Sequence, residues 1–514
     1  MGAADYYSGG QTMIRLALIS LCSAALLVGG APKLPLPDAP VRLVIPDVGA
    51  FDKVLSGSYR QLLENDVSDN DPMFAAWKRS RTGSKLDAEW EAFKGKFSLN
   101  WKTLRRMQPT CIGLALLNVG HLEAVMVIET PIAVLSLSLP NGDKNTYNGV
   151  SYNVIARGAA DGQGDDDGRM GFAWAAFKGS LIFSSSERAL KLALDVALSG
   201  NGYTPSLDGL VCLDLNLDEL RSNIYFKREF RFPRGPETGR VYAALRLQGE
   251  NLVEVRRGVG ESRSSASKFE ADSAAIAGWE PDGVKLWPTF RRALLEPEPN
   301  PSPKPLPAIR PLPATTGASD NYLVDFTKPG SPKASGAWEE GDLLAWPALL
   351  ADVPSYGYYS NNDGQRRMVF PWPAERDTEF VNACKATMTR RHGKASVQKV
   401  GDVQEIQIGP KLPVLAIRRT GAFLWVAASA THLKDVKAPN PEPNLIRWAK
   451  LDLDAIREEY TRWETFEGPQ YSENDRPLSD RVLGLLGWMP ETAKIYVERR
   501  KINSGWEERV VFGR

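Results

Sequence analysis

The stretch Pro236-Glu237-Thr238-Gly239-Arg240-Val241-Tyr242 returns near the end of the chain as Pro490-Glu491-Thr492-Ala493-Lys494-Ile495-Tyr496. Both copies open a run with the composition of a β-strand. Two more pairs of matched stretches precede them in the same order: Leu215–Arg221 with Leu451–Arg457, and Gly179–Phe183 with Gly421–Trp425. Landmarks that recur in one order predict a tandem duplication. We therefore expect 215–221 to superpose on 451–457, and 240–257 on 494–513.

Helical spacing precedes strand spacing in the first copy. Apolar residues recur at three- and four-residue steps between Phe51 and Leu63, which is typical of an amphipathic helix. Beyond Pro109 the period becomes two, and residues 111–118 and 122–129 read as an antiparallel hairpin. Helices followed by antiparallel strands with interposed helices predict an α+β fold. The expected architecture is two tandem repeats of antiparallel sheet with covering helices, repeat 2 being interrupted by a Pro-rich linker.

The repeats and the local composition set the predicted domain boundaries. Repeat 1 takes residues 41–257 and repeat 2 takes residues 342–514. Three segments are predicted between the repeats: a linker at 258–282, a helix at 283–296 that echoes the start of the other repeat, and a Pro-rich disordered linker at 297–341.

An export signal is predicted at the start of the chain. Arg15 precedes an apolar run at 16–28, and Gly29-Gly30-Ala31 offers small residues to signal peptidase. Residues 1–31 are therefore predicted to be a signal peptide, with Met13 as the possible true start, and the protein to be periplasmic or extracellular. The run is shorter than the ~20 residues that a membrane-spanning helix needs. The alternative is an uncleaved anchor, residues 16–28, in the inner membrane.

Charge and composition exclude two kinds of partner. The chain has 63 basic and 62 acidic residues and a net charge of +1, so neither nucleic acid nor an anionic membrane surface is expected as a partner. Contact with a membrane is expected only through an uncleaved N-terminal segment, if at all. The expected partner is an unknown envelope protein or an apolar ligand.

The best candidate for metal binding is an acidic loop in repeat 1. Carboxylates separated by glycines suit Ca²⁺, which prefers oxygen ligands. The twelfth position of this loop is Phe172 and not the glutamate of an EF-hand, and repeat 2 lacks the loop, so a solvated loop is the main interpretation. The candidate calcium ligands are Asp161, Asp165, Asp166 and Asp167.

No catalytic or cofactor-binding residue is predicted. Ser184-Ser185-Ser186 lies between a predicted strand and a predicted helix, but the glycines of a nucleophile elbow are missing, so helix capping is expected. The three histidines lack a partner at metal-ligand spacing. Cys111 and Cys212 lie on apolar strand-like runs of one repeat, and they are predicted either to be buried free thiols or to pair.

Tryptophans are the candidates for an interaction surface. The chain has 14 of them, spread over both repeats. Exposed aromatic side chains are common at protein interfaces, whereas packing in a strand-rich core is the alternative. Trp346 and Trp372 are the interaction candidates.

Several phrases of the sequence resemble a family. They are Val41–Asp47, Leu62–Glu64, Asp71-Pro72 with Phe74 and Trp77, Leu181–Ser186 with Leu190, and Leu213–Leu215. This order is similar to that of exported bacterial proteins classified as a domain of unknown function, which commonly carry the unit in more than one copy. The resemblance implies a tandemly repeated α+β unit, and since the family has no assigned activity, no catalytic residue can be carried over from it. This chain departs from it in the Pro-rich interruption and the acidic loop.

Three hypotheses about function remain. The first is an exported, non-enzymatic scaffold or binding protein of the cell envelope. The second is a carrier or binder of an apolar ligand, because a curved antiparallel sheet covered by helices is a plausible shape for an apolar pocket. The third is a carboxylate-dependent hydrolase that uses repeat 1 only. Convergent carboxylates with a raised pKa would favour the third.

Overall fold

The computed structural model describes residues 33–56, 95, 106–118, 122–131, 139–155, 172–223, 238–249, 251–259, 265–269, 274–281, 286, 349–361, 365–409, 412–455 and 493–513. These residues fall into two compact units. The N-terminal unit takes the described residues up to 259 together with 504–507, and the C-terminal unit takes the others. Both units are mostly antiparallel sheet with few helices, which confirms the predicted mixture of antiparallel sheet and covering helices.

The described part of the N-terminal unit contains these strands: β1 (Val41–Ile45), β2 (Cys111–Asn118), β3 (Glu123–Glu129), β4 (Asp143–Tyr147), β5 (Val150–Ile155), β6 (Phe172–Phe177), β7 (Ser180–Ser184), β8 (Val211–Asn216), β9 (Thr238–Gln248) and β10 (Asn251–Val259). Its helices are α1 (Val48–Ser56), α2 (Glu187–Ser199) and α3 (Leu217–Ser222). The predicted hairpin is confirmed as β2 and β3, which pair antiparallel.

The sheet of the N-terminal unit has the order β4-β5-β6-β7-β3-β2-β1-β8-β9-β10, and every neighbouring pair is antiparallel. The first strand of the chain therefore lies inside the sheet. Its alternating side chains serve both faces, as the pleat requires. Leu43 and Ile45 pack with Val48 and Phe51 of α1 on one face, whereas Val44 is fully buried on the other.

The described part of the C-terminal unit follows in chain order: β11 (Ser267–Lys268), β12 (Ala274–Glu280), β13 (Tyr356–Asn361), β14 (Arg366–Pro371), β15 (Ser396–Val400), β16 (Val403–Gly409), β17 (Leu412–Thr420), β18 (Phe423–Ala427), β19 (Asn440–Pro441), β20 (Leu445–Asp452) and β21 (Lys494–Ile502). A last strand, β22 (Gly505–Gly513), ends the described chain. The helix α4 spans Asp377–His392, and short 3₁₀ turns span Ala374–Arg376 and Ala430–Leu433.

The main sheet of the C-terminal unit has the order β15-β16-β17-β18-β14-β13-β12-β20-β21, again with antiparallel neighbours. This order repeats that of the N-terminal unit from β4 to β9, strand for strand. The helix ends also correspond: the Asn216 side chain accepts a hydrogen bond from the Glu219 amide at 3.4 Å, and the Asp452 side chain accepts one from the Ala455 amide at 3.1 Å.

One predicted boundary needs correction. Residues 258–282 are predicted to be a linker, yet they contain β12, which lies between β13 and β20 in the C-terminal sheet. Trp279 of this strand is 1% exposed. The stretch Ala274-Ala275-Ile276-Ala277-Gly278 consists largely of small residues without strong strand propensity. It forms a strand because it pairs with β13 on one side and β20 on the other. The C-terminal unit therefore begins before residue 283.

The match between Gly179 and Gly421 is offset by one residue. In the hairpin of β6 and β7, Phe177 pairs with Ser180, whereas in that of β17 and β18, Thr420 pairs with Phe423. The first turn, Lys178-Gly179, has positive φ at both residues, but Gly421 is followed by Ala422, which has no positive φ. These are the requirements of type I′ and type II′ turns, which place glycine at different positions.

The segment before β1 belongs to the folded unit. Leu34 pairs with Tyr203 in an isolated bridge and is fully buried, and Leu36 is 2% exposed. Gly113 makes room for them, since a Cβ there would lie 2.7 Å from the Leu34 Cδ1 atom and 2.8 Å from the Leu36 Cδ1 atom.

Several predictions concern residues outside the described ranges: the signal peptide, the acidic loop, the Pro-rich linker and Trp346. Of the helix predicted at 283–296, only Leu286 is described. Among the described helices, none combines the length and apolar character needed to cross a membrane.

Candidate functional site

Trp372 is not an exposed interaction platform. The sequence makes it a candidate for partner binding, but its side chain is 3% exposed. It packs edge-on against Phe370 and Phe380, with ring centroids 6.0 Å and 5.4 Å away, and the Arg376 guanidinium lies 4.7 Å from its ring centroid. The sequence did not indicate this burial because it did not predict α4, the helix that supplies Phe380. Trp372 stabilises the core.

The candidate calcium ligands Asp161, Asp165, Asp166 and Asp167 lie outside the described residues, as does Trp346. Within the ranges that the structure describes, no three His, Cys, Asp or Glu side chains are placed to hold a metal ion.

The serine run caps a helix, as predicted. The Ser186 hydroxyl accepts a hydrogen bond from the Ala189 amide at 3.1 Å at the start of α2. Ser185 accepts one from the Ala124 amide at 2.9 Å, and Ser184 accepts one from the Ser186 amide at 3.0 Å. All three hydroxyls therefore have structural partners, and Ser186 also donates to Glu123 at 2.6 Å. This arrangement fixes the end of β7 and the start of α2.

Cys111 and Cys212 are free, buried thiols. They lie on β2 and β8, and β1 runs between these strands, so the two Cα atoms are roughly 10 Å apart. A disulfide needs Cα atoms within about 7 Å. Burial raises the pKa of the Cys212 thiol to about 12, and it also raises the pKa of Cys111 and Cys384 well above the usual value.

We expect Cys111, Cys212 and Cys384 to resist alkylation in the folded protein, because a buried thiol with a raised pKa holds little thiolate. Iodoacetamide at mildly alkaline pH should leave all three unmodified, and all three should react once guanidinium has unfolded the chain. Mass spectrometry of the peptides measures both states. A pair that stays unlabelled after unfolding without reductant would reveal a disulfide instead.

A cluster of two carboxylates and two arginines holds the start of the N-terminal unit. Asp214 on β8 is 2% exposed, and its Oδ2 atom accepts a hydrogen bond from the Arg240 Nη1 atom at 2.8 Å. The Arg42 Nε atom lies 3.9 Å from the same oxygen, and the Arg42 guanidinium stacks 4.4 Å from the Tyr203 ring centroid. Asp38 forms ion pairs with both arginines.

The two carboxylates of this cluster have pKa values that move in opposite directions. Burial raises the pKa of Asp214, although the charges of Arg240 and Arg42 oppose this effect. Partial burial also acts on Asp38, but the charges of the same two arginines outweigh it and lower its pKa. Opposed carboxyl pKa values are typical of an acid and base pair. Here, however, both carboxylates are occupied by guanidinium groups, so the cluster is built to neutralise and hold charge.

The most distinctive surface of the N-terminal unit is an apolar strip on one face of β8 and β9. Cross-strand pairs join Val211 with Leu245 and Leu213 with Ala243, and Leu247 continues the row. We define the β8–β9 strip as Val211, Leu213, Leu215, Ala243, Leu245 and Leu247.

The strip is only partly covered. Leu247 is 47% exposed, and the other members of the strip are partly buried. At one end, Val211 and Leu213 pack against the cluster formed by Leu43, Ile45, Val48 and Phe51. The opposite face of the same two strands is closed, since Cys212 and Ala244 are 3% and 1% exposed. Exposed apolar rows of this kind mark interaction surfaces.

The C-terminal unit carries charges at three of the six equivalent positions, and the other three, Ala449, Leu451 and Val497, are apolar. Matching strand order and register places Arg447 at the position of Val211, Arg499 at that of Leu245 and Lys501 at that of Leu247. The Arg447 Nε atom lies 3.0 Å from the Glu280 Oε1 atom, and Arg499 donates to Glu508 at 3.0 Å. The C-terminal unit thus has ion pairs at two of these positions, where the N-terminal unit has Val211 and Leu245.

The sequence alone does not distinguish the strip from the core, because an apolar residue on a strand is usually buried. An alignment of the two matched stretches does indicate the strip, because Val211, Leu245 and Leu247 align with Arg447, Arg499 and Lys501. Apolar residues in only one of two units with the same strand order make this strip a candidate interaction surface.

No protein-family model matches the chain. A search of curated proteins finds no match either. Among solved structures, crystal forms I, III and IV of TP0453 are similar at 12–14% identity, covering 44–48% of this chain and 80–91% of theirs, with TM-scores of 0.24–0.25. TM-scores in this range carry no argument about fold or function.

Proposed function

We propose that this protein is an exported, non-enzymatic binding protein of the cell envelope, built from two copies of one α+β unit, and that the N-terminal copy docks a partner protein on the β8–β9 strip. The observation that carries the proposal is the strip itself, an apolar row in which Val211, Leu245 and Leu247 stand where the C-terminal unit has Arg447, Arg499 and Lys501. The duplication is supported by the common strand order and by the equivalent caps at Asn216 and Asp452. Export is supported by the predicted signal peptide.

The replacement of apolar residues of the strip by charged residues in the C-terminal unit explains why the two units would have different roles. A buried interface loses favourable energy when one side carries an unpaired charge. The C-terminal unit pairs Arg447 and Arg499 with its own carboxylates, so this face offers little apolar area to a partner. The N-terminal unit presents leucine and valine side chains, whose burial contributes ~25 cal/mol per Å² of apolar surface.

We expect Leu247→Lys, which copies the residue of the C-terminal unit, to weaken partner capture by about 2 kcal/mol or more, roughly thirtyfold in Kd. Leu192→Lys is the matched control, because Leu192 is 38% exposed on α2 of the same unit and lies outside the strip. Chemical crosslinking in the envelope of the native host, followed by purification of the tagged chain, measures capture. Both variants should unfold at the wild-type temperature, since each side chain already reaches solvent.

Two outcomes would contradict the strip as the docking surface. Either both variants lose the same crosslinked partner, or both retain it. A small apolar ligand is the second candidate, because the same strip would bind an acyl chain. It predicts that a fluorescent fatty acid binds to wild type, that Leu247→Lys weakens this binding, and that no protein is crosslinked at the strip. The hydrolase hypothesis gains no support from Asp38 and Asp214, because their carboxylates are held by arginines.

A further inference from the structure

The strand β15 is an open edge of the C-terminal sheet. It is the terminal strand in the order of that sheet, and among the described strands only β16 pairs with it. All five residues, Ser396–Val400, are exposed, with Val397 at 38% and Val400 at 42%. An edge strand directs a row of backbone N–H and C=O groups outward, and another extended chain satisfies these groups by adding a strand.

The sequence around β15 is strongly basic. From Phe380 to Gly401 there is no Asp or Glu, in a chain whose overall charge is only +1. Lys394 and Lys399 are exposed beside and on the strand. The basic residues of this stretch are Lys385, Arg390, Arg391, Lys394 and Lys399.

The corresponding edge of the N-terminal unit differs. Strand β4 is also terminal and largely exposed, but it carries Asp143 beside Lys144 and has no net charge. Tyr147 at its end donates a hydrogen bond to Asp195 of α2 at 3.2 Å, which ties this strand to the unit. The open edge with an excess of one charge is therefore β15.

We propose that β15 is a docking site for an extended acidic segment of a partner protein, which adds to the C-terminal sheet as a further antiparallel or parallel strand. The backbone edge selects a polypeptide over a nucleic acid or a lipid, because only a polypeptide supplies matching N–H and C=O groups at strand spacing. The lysines select acidic sequences, since opposite charges steer association and like charges oppose it. A second copy of β15 would bring two basic segments side by side, which like charges oppose. This site is independent of the β8–β9 strip.

The test uses the full mature chain and a fluorescently labelled octapeptide of alternating glutamate and valine. We expect it to bind, and the variant Lys394→Glu/Lys399→Glu to weaken binding at least about tenfold because attraction becomes repulsion. The milder Lys394→Gln/Lys399→Gln should give a smaller loss in the same direction. Lys144→Glu on β4 is the matched control and should bind as wild type does, and so should Leu247→Lys. Circular dichroism checks that every variant is folded.

Three further probes separate the alternatives. An octapeptide of alternating glutamate and proline has the same charge but cannot form a strand, so it should not bind. Its binding as tightly as the valine peptide would overturn the proposal, because charge alone would then suffice. Tighter binding of an oligothymidylate or of phosphatidylglycerol vesicles would also overturn it. Failure of the valine peptide to bind, or dimerisation of the wild type that the lysine variants alter, would do the same.

Discussion

Trp372→Ala should lower the free energy of unfolding of the C-terminal unit by about 3–5 kcal/mol, the range for removing a large buried aromatic side chain. The indole ring packs against both Phe370 on β14 and Phe380 on α4, which also contact each other. Its loss leaves a cavity that these rings cannot fill without leaving their rotamers. Hydrogen exchange of the α4 amides, together with urea unfolding, measures the effect unit by unit.

Trp372→Phe serves as the control, because it keeps an aromatic ring in the same place and should cost less than half as much. The partner-capture assay separates stability from binding. At a temperature where the variant remains folded, it should capture the envelope partner as the wild type does. A Trp372→Ala protein of unchanged stability that no longer binds would restore the tryptophan as an interaction residue.

Asp214→Ala should destabilise the N-terminal unit by about 3–5 kcal/mol, because it leaves the largely buried guanidinium groups of Arg42 and Arg240 without their buried partner. Asp143→Ala on the exposed strand β4 is the control and should change stability by less than about 0.5 kcal/mol. Urea unfolding followed by tryptophan fluorescence measures both. Equal, small effects for the two variants would mean that the cluster contributes no net stability.

The pH dependence of this cluster has a definite sign. Since burial raises the native pKa of Asp214, the native state holds its proton more tightly than the unfolded state. The stability that comes from binding this proton is complete below the unfolded pKa and is lost as pH rises through the native pKa. For Asp38, whose native pKa is lowered, stability is lost as pH falls below its ordinary value of 3.8. As pH is lowered toward 3.8, the free energy of unfolding of the wild type should therefore rise relative to that of Asp214→Asn.

The sequence predicted the antiparallel sheet and the placement of several elements. The pairs Leu215 with Leu451 and Tyr242 with Tyr496 hold in the strand registers, because both units end these strands in the same way. The helix α4 was not predicted. Its buried residues Phe380, Cys384 and Met388 follow helical spacing, but most of the residues around them are polar. It also missed β12, whose small residues become a strand only between β13 and β20.

The candidate site was harder to predict than the fold. Exposure of Trp372 depends on the packing of the helix that follows it, and the sequence does not reveal that Phe380 of this helix packs against the indole ring. The β8–β9 strip has the alternation of an ordinary strand. Only the comparison of Leu245 with Arg499, at equivalent positions, distinguishes a surface from a core, and that comparison needs a register that strand pairing supplies.

The ion pair between Asp38 and Arg240 joins residues 202 positions apart, and β1 is held between β2 and β8. The earliest strand of the N-terminal unit thus has no partner until β2 exists, and its second neighbour emerges about a hundred residues later. Contacts of such long sequence separation make folding slow, since the chain must close large loops before it gains their energy. During synthesis this unit stays open until nearly all of it has been made. Under the export that we propose, the chain would therefore still be unfolded on reaching a translocation channel.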